Sequence, residues 1–265
     1  MPAFNEITPA TLMRLIGTPA APVLVDVSID ADHADDPFLV PTAFRAAHTD
    51  RDGLSARLAG RDCVVICQKG KKLSHGVAAW LRAQGIGAQV LEGGNYGWRD
   101  AGLPRVPAAA RPAPLWVTRH RPKIDRIACP WLIRRFVDPA AQFLFVPPSE
   151  VPAVAEKFDA TPFDIEDTHF SHRGPLCTFD TMIATFGLAH PALDRLALVV
   201  RAADTDDHAA SPQAAGLLAL SVGLSRMYRD DMAQLEAGMN IYDALYRWAR
   251  DGFDEGHDWP AGAAK

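Results

Sequence analysis

The chain has 265 residues, 48% of them hydrophobic and 22% charged, with a formal net charge of -5. That length and apolar content suffice for two ordinary cores, and the acidic balance excludes a protein that coats nucleic acid through bulk positive charge. No apolar run reaches the length needed to span a bilayer, and Met1-Pro2-Ala3-Phe4-Asn5-Glu6 lacks the basic start and apolar centre of a secretory signal, so no membrane contact and a cytoplasmic location are expected.

In chain order, residues 8–16 are predicted as a short helix, capped by Thr8 and apolar at Leu12, Leu15 and Ile16. Residues 23–27 are a buried strand; Asp26 near its end is either a holder of the neighbouring loop or an ordinary strand-end carboxylate. Residues 29–38, with Asp30, Asp32, Asp35 and Asp36, are predicted as a solvated loop. A helix at 54–58, a strand at 63–66, a helix at 74–84 and a strand at 88–91 follow. Gly93-Gly94 then turns the backbone where side chains would not fit. Strands alternating with helices predict a parallel sheet wrapped by helices, with its site at the carboxyl ends of the strands.

At one such end lies Cys67-Gln68-Lys69-Gly70-Lys71-Lys72-Leu73-Ser74. A thiol here would face backbone N–H groups, a helix N-terminus and nearby cations, all of which favour the nucleophilic thiolate. The same cradle would hold an anionic sulfur donor or oxyanion. The plainer alternative is a cysteine buried at a strand end beside lysines that solvate a turn. The four cysteines, at 63, 67, 129 and 177, form no CxxC pair and read as reduced thiols.

Four prolines in residues 103–114 favour an extended tether. Beyond it, residues 116–118 read as a strand, and Asp125 reads as the N-cap of a helix that buries Ile127, Trp131, Leu132 and Phe136. Arg126, Arg134 and Arg135 belong to a basic cluster spanning 119–135. It suits either an oxyanion or phosphate contact, or a solvated helix face. A strand at 143–146 and a helix at 151–158 come next. Helices are then predicted at 181–186, 191–203, 212–221 and 230–251, the last burying Met232, Leu235, Met239, Tyr242, Leu245 and Trp248. The tail from Gly252 is polar and expected to be loosely ordered. Imidazole with carboxylates suits zinc, iron or manganese. If residues 162–180 meet residues 199–208, Glu166, His169 or His172, and Asp204 make a chemically reasonable metal set; the alternative is loop residues that hydrogen-bond helix ends.

Asp26 closing Val23-Leu24-Val25, the Cys67 loop, and Leu91-Glu92-Gly93-Gly94-Asn95-Tyr96-Gly97-Trp98 together resemble a rhodanese domain over about residues 4 to 105. The resemblance implies that Cys67 accepts a sulfane sulfur as a persulfide and passes it to a thiol or to cyanide. Gln68, Lys69, Gly70, Lys71, Lys72 and Leu73 would then surround the anionic donor. Lys72 stands where the family has arginine, and Ser74 arrives one residue late. A longer loop is a feature of phosphatase relatives of this fold, but Leu73 occupies the position of their arginine.

The second half resembles the carboxy-terminal domain of the chromate resistance protein B family. The likeness rests on Asp125-Arg126-Ile127-Ala128-Cys129, Trp131-Leu132-Ile133, Ser171-His172, Cys177-Thr178-Phe179, Ala203-Asp204-Thr205-Asp206 and Tyr242-Asp243-Ala244-Leu245-Tyr246. It implies a role in chromate response, with Arg126, Cys129, His172, Cys177, Asp204 and Asp206 as candidates for anion or metal contact. Regulatory members carry a DNA-binding helical module where this chain has the rhodanese-like one, so nucleic acid is not an expected partner.

The expected architecture is an α/β rhodanese-like domain (1–103), a Pro-rich linker (104–114) and a mostly α-helical domain with a few short strands (115–265). The leading expectation is a sulfurtransferase fused to a chromate-response domain, its partners a small anionic sulfur donor, a thiol acceptor and chromate. The alternatives are a non-catalytic chromate or metal sensor with an inert loop, and a metal-dependent oxidoreductase in the second half. Oligomerisation stays open.

Overall fold

The computed structural model describes residues 5–256; most of the stretch read for a leader, and the end of the polar tail, lie outside the described residues. The first half runs β1 (Glu6–Ile7), α1 (Pro9–Leu15), β2 (Val23–Asp26), α2 (Asp30–Asp35), β3 (Phe38–Leu39), β4 (Phe44–Arg45), α3 (Arg51–Leu58), β5 (Cys63–Ile66), α4 (Lys72–Ala83), β6 (Ala88–Leu91), α5 (Gly94–Asp100) and β7 (Val106–Pro107). Five of these strands make one sheet in the order β1-β6-β5-β2-β4, with every pair parallel.

Side chains alternate across that sheet. Val25, Cys63, Val65 and Val90 face Leu54, Leu58, Val77 and Leu81 of α3 and α4. Leu24, Val64, Ile66 and Leu91 share the opposite cluster with Leu12 and Trp98. Parallel pairing of Asp26 with Ile66 brings the ends of β2 and β5 level, so Asp26 and the Cys67 loop lie at one edge. The acidic segment predicted as a loop contains α2. It buries nothing and so has no apolar period to read, but Asp30 and Asp32 in its first turn and His33 in its last suit the helix dipole.

The proline-rich stretch is docked rather than free, and it is not extended throughout, since Ala108–Ala110 close a 3-10 turn. Val106–Pro107 pairs antiparallel with β3, and the Trp98 indole donates to Pro104 O at 2.8 Å. Arg105 lies 2.7 Å from Asp36, and Arg111 lies 3.2 Å from Asp138 in the second half.

The second half runs β8 (Leu115–Arg119), α6 (Asp125–Leu132), β9 (Gln142–Val146), α7 (Val151–Phe158), β10 (Thr161–Pro162), α8 (Thr178–Thr185), α9 (Pro191–Asp204), α10 (Ala214–Met227) and α11 (Asp231–Asp251). A three-stranded parallel sheet, β10-β8-β9, backs the helices. Pro130 sits inside α6, which continues as a wider π turn over Ile133–Val137. On α11, Leu235, Met239 and Tyr242 are buried as predicted and Leu245 and Trp248 pack partly against the core. Met232 is corrected to the exposed side, and Tyr246 supplies the fully buried ring instead.

Trp131 centres this core, 5.6 Å from Tyr246, 5.7 Å from Phe136 and 6.4 Å from Phe179 between ring centroids. The same apolar cluster contains Leu12, Ile16 and Trp98, so the halves share one core. Gly17 makes the closest approach: a Cβ there would lie 2.4 Å from Phe136 and 2.7 Å from Tyr246, and its φ of +80° already favours glycine. Thr42 N–H also donates to Phe136 O at 3.0 Å, and Arg250 donates to Arg14 O at 2.7 Å. Gly17→Ala is therefore expected to destabilise the whole chain by about 2–4 kcal/mol in urea unfolding, lowering the signals of both halves together. Gly76→Ala, a helical site with open space around its Cβ, is expected to be neutral or to stabilise by up to about 1 kcal/mol.

Candidate functional site

Two places gather reactive groups. At the first, Cys67 follows β5 and precedes α4. Its Sγ accepts from Lys71 N at 3.4 Å and lies 3.2 Å from Ser74 Oγ, which in turn donates to Lys71 O at 3.0 Å. The loop is clamped from behind. Asn95 N and Gly70 N donate to Cys67 O at 3.1 and 3.3 Å, and the Asn95 amide donates to Asp26 Oδ2 at 2.7 Å. Asp26 Oδ1 takes Ser28 N–H at 2.7 Å, so this carboxylate holds the loop edge. Gly94 is required: a Cβ there would fall 2.0 Å from Cys67 O and 2.3 Å from Gly70 N.

Around the thiol, Lys69, Lys71 and Lys72 are exposed. Gln68 is buried and donates to Asp32 O at 3.0 Å, and Leu73 packs against the cluster under α4. Cys67 itself is 4% exposed and borders that cluster. A cavity of about 320 Å³ opens beside the loop, lined by Lys72, Leu73, Val77, Trp80, His48 and Arg51, without Cys67. A larger cavity of about 450 Å³ lies between the halves at the amino-terminal end of β2, the end away from Cys67.

The second place is an acidic centre in the second half. Asp125 begins α6 and is fully buried; Asp164 follows β10, Asp204 ends α9, and His172 comes from the loop before α8. His172 Nε2 lies 3.2 Å from Asp204 Oδ2, 3.6 Å from Asp164 Oδ1 and 3.7 Å from Asp125 Oδ2. Arg119 and Arg126 sit 2.9 and 3.2 Å from Asp164 Oδ2. The predicted cap role of Asp125 is redirected: its Oδ2 accepts Thr178 N–H at 2.7 Å, capping α8 rather than its own helix. Ile124 at φ +40° and Asp164 at φ +52° flank the centre, a conformation in which a β-branched residue is strained.

Electrostatics follow from this crowding. Burial, then Asp204 and Asp164, push the Asp125 carboxyl well above its usual range. Burial and Asp164 raise Asp204. For Asp164, burial acts upward, but His172, Arg119 and Arg126 outweigh it and hold the group below the usual range. His172 is pushed up to about 9, chiefly by Asp164. Cys129 and Cys177 are buried with their thiols pushed up by burial and then Asp125, and burial raises Cys63 to about 11; all three are poor nucleophiles at neutral pH.

Of the predicted metal set, the structure brings His172 and Asp204 together. Glu166 is exposed and outside this cluster, and Asp164, two residues earlier, occupies the place it was given. His169 is exposed and stands edge-on to Phe170, while Asp206 is exposed near His208. Arg126 reaches the centre; Arg134 and Arg135 instead pair with Glu236 and Asp243, so the basic cluster is divided among separate carboxylates. Asp125, Asp164 and Arg119 were missed as members. Each belongs to a run already singled out, but those runs carry too many carboxylates and arginines for spacing to choose among them.

The five-stranded parallel sheet with a cysteine loop at its carboxyl edge defines a rhodanese-like α/β fold, joined to a mostly helical domain built around an acidic centre. Residues 116–249 match the family described as "ChrB, C-terminal domain", and the chain belongs to that family. It is similar to Protein ChrB of Cupriavidus metallidurans, 34% identical over 132 residues, which are 49% of this chain and 39% of that protein. The chain thus matches well under half the length of that relative.

Among solved structures, it is similar to a thiosulfate sulfurtransferase from Pseudomonas aeruginosa, with 26% identity and TM-score 0.33 over 39% of this chain and 19% of that one. It is also similar to a rhodanese-related protein from Thermoplasma volcanium, with 20% identity and TM-score 0.34 over 39% and 98%. A third is a rhodanese-like domain protein from Staphylococcus aureus, with 29% identity and TM-score 0.32 over 36% and 91%. No helix among the described residues is long and apolar enough to cross a membrane.

The raised His172 has a consequence for pH. A group whose pKa rises on folding stabilises fully below its unfolded value, near 6.5, and that stability is lost as pH climbs through about 9. The raised Asp125 and Asp204 carry the same sign, in a window that opens lower, from about 3.8 upward. The melting temperature of chelator-treated protein is expected to fall from pH 7 to pH 9.5, and to fall less in His172→Gln. An equal slope in both would remove His172 as the cause.

Proposed function

We propose that the first domain moves sulfane sulfur through Cys67 and that the second adapts the protein to chromate stress. The observation carrying the first part is the Cys67 sulfur at the mouth of a 12-residue helix, in contact with Lys71 N–H and the Ser74 hydroxyl. An N–H donor and a helix N-terminus beside the sulfur suit a reaction that passes through anionic donor and product. In the forward step the thiolate attacks the outer sulfur of a thiosulfate-like donor, the donor S–S bond breaks, sulfite leaves, and Cys67 holds a persulfide. An acceptor thiolate or cyanide then takes the terminal sulfur and returns the thiolate. Lys69, Lys71 and Lys72 supply positive charge for the donor as mobile point charges, since lysine lacks the rigid bidentate fork of arginine.

Chromate enters through the family relationship and the sequence resemblance. It is a sulfate-shaped dianion that thiols reduce, so persulfide and thiol products are useful beside it. Arg126, named from sequence as an anion contact, is already engaged by Asp164, so an anion at this centre would compete with that carboxylate.

A second reading, a chromate-responsive protein with an inert loop, is favoured by one observation: Cys67 is 4% exposed, and the cavity beside the loop does not include it. Intact-mass analysis after exposure to thiosulfate separates the two. Sulfur transfer predicts a gain of one sulfur on wild-type protein, localised to Cys67, and thiocyanate release on adding cyanide. Cys67→Ser is expected to lose both by at least about a thousandfold, as removal of a covalent nucleophile does. No added sulfur with any sulfane donor would leave the second reading.

A further inference from the structure

We propose that Asp125, Asp164, His172 and Asp204 form a binding site for one divalent transition-metal cation of the zinc, manganese or iron(II) class. The site lies in the second half and is independent of the Cys67 reading. One candidate ligand atom each from Asp125, Asp164 and His172 lie within 4.8 Å of one another. The spacings from His172 Nε2, 3.2, 3.6 and 3.7 Å, are close to the edges of a coordination polyhedron. Ligands about 2.1 Å from a metal are separated by roughly 3.0–3.4 Å, so small side-chain movements would close this set around an ion.

A second observation points the same way. The Asp125 carboxyl is fully buried and reaches the cluster with Oδ2, while its Oδ1 has no hydrogen-bond partner within normal distance among the described residues, the Cys177 thiol being a polar neighbour of the carboxyl. Such groups are rare in interiors and call for a missing partner. The surrounding groups fix the direction of the ligand oxygens, each of which keeps a second lone pair. Thr178 N–H holds Asp125 Oδ2, and Thr178 Oγ1 holds Asp164 Oδ1 at 3.0 Å. Arg119 and Arg126 take the other Asp164 oxygen. His172 is the half-exposed member, giving an ion a route from solvent. The donor set decides the class: three carboxylates and one imidazole suit zinc, manganese or iron(II) rather than a thiolate-seeking ion. The nearby Cys177 thiol is turned to Asp180 Oδ2 at 3.3 Å.

The competing account is a self-sufficient ion network, in which Arg119, Arg126 and a charged His172 balance the three carboxylates. The full-length chain, stripped with chelator and dialysed, is titrated with Zn²⁺ and separately with Mn²⁺ by calorimetry. The site predicts one saturable equivalent of at least one ion and a higher melting temperature on loading. Asp125→Asn and His172→Gln are each expected to weaken that binding tenfold or more, and Cys67→Ser to bind as wild type. In the Mn²⁺ complex, imidazole nitrogen couplings in pulsed electron paramagnetic resonance should vanish in His172→Gln. If Asp125→Asn does not fold, His172→Gln, at the exposed edge, carries the test alone. No saturable binding of either ion, or binding unchanged in folded His172→Gln, overturns the proposal and leaves the ion network.

Discussion

The absence of a side chain at Gly17 sets how the two halves of this protein meet. Phe136 and Tyr246 press against that backbone, and Trp131 meets both rings at steep angles behind them. This contact fixes α6 and α11 relative to α1. Because α6 begins with Asp125 and Arg126, the same packing that seals the core also places two members of the acidic centre. Tyr242 ties these ends together by donating to Ile124 O at 3.0 Å, just before Asp125. The strained Ile124 is thus held by its surroundings, as a backbone in a sparsely populated region must be.

The two reactive places solve opposite electrostatic problems. At Cys67 a buried sulfur accepts from Lys71 N–H in a loop whose lysines are exposed, and Asp26, Asn95 and Gly94 fix that loop. In the second half, carboxyl groups crowd one another in a largely buried setting, and Arg119, Arg126 and His172 lie against them. Neither arrangement survives loss of its scaffold. The first depends on a parallel-sheet edge, and the second on the ends of four separate elements meeting.

Much of the first half was legible because its elements have period. Residues 63–66 are an apolar run and 88–91 one interrupted by the exposed Gln89, both between turn signals, and the strands fall there. Two-residue strands such as β1, β3 and β4 carry no pattern and are made only by pairing with distant partners. The α5 helix hides behind glycines that serve the Cys67 loop. In the second half, composition pointed to imidazole and carboxylates coming together but not to which members would meet. His172 and Asp204 are brought together as read, whereas Asp164 rather than Glu166 joins them because a left-handed residue at 164 turns that carboxylate inward. Asp125 looked like a cap for its own helix, and only tertiary packing shows that it caps α8. Proline content pointed to an extended tether over residues 104–114, whereas Ala108–Ala110 form a 3-10 turn there and Arg105 and Arg111 fasten the segment to both halves.

That fastening bears on ancestry. A chain assembled from two portable modules normally keeps a seam where recombination can cut and rejoin without harm. Here the seam is overgrown: aromatic rings from one module fill a notch in the other, and the connecting segment has become a strand of a small ribbon. A new fusion made at that point would inherit a bare greasy face on each side. Residues 17, 136 and 246 are therefore where a change of side chain in one half is felt directly by the other.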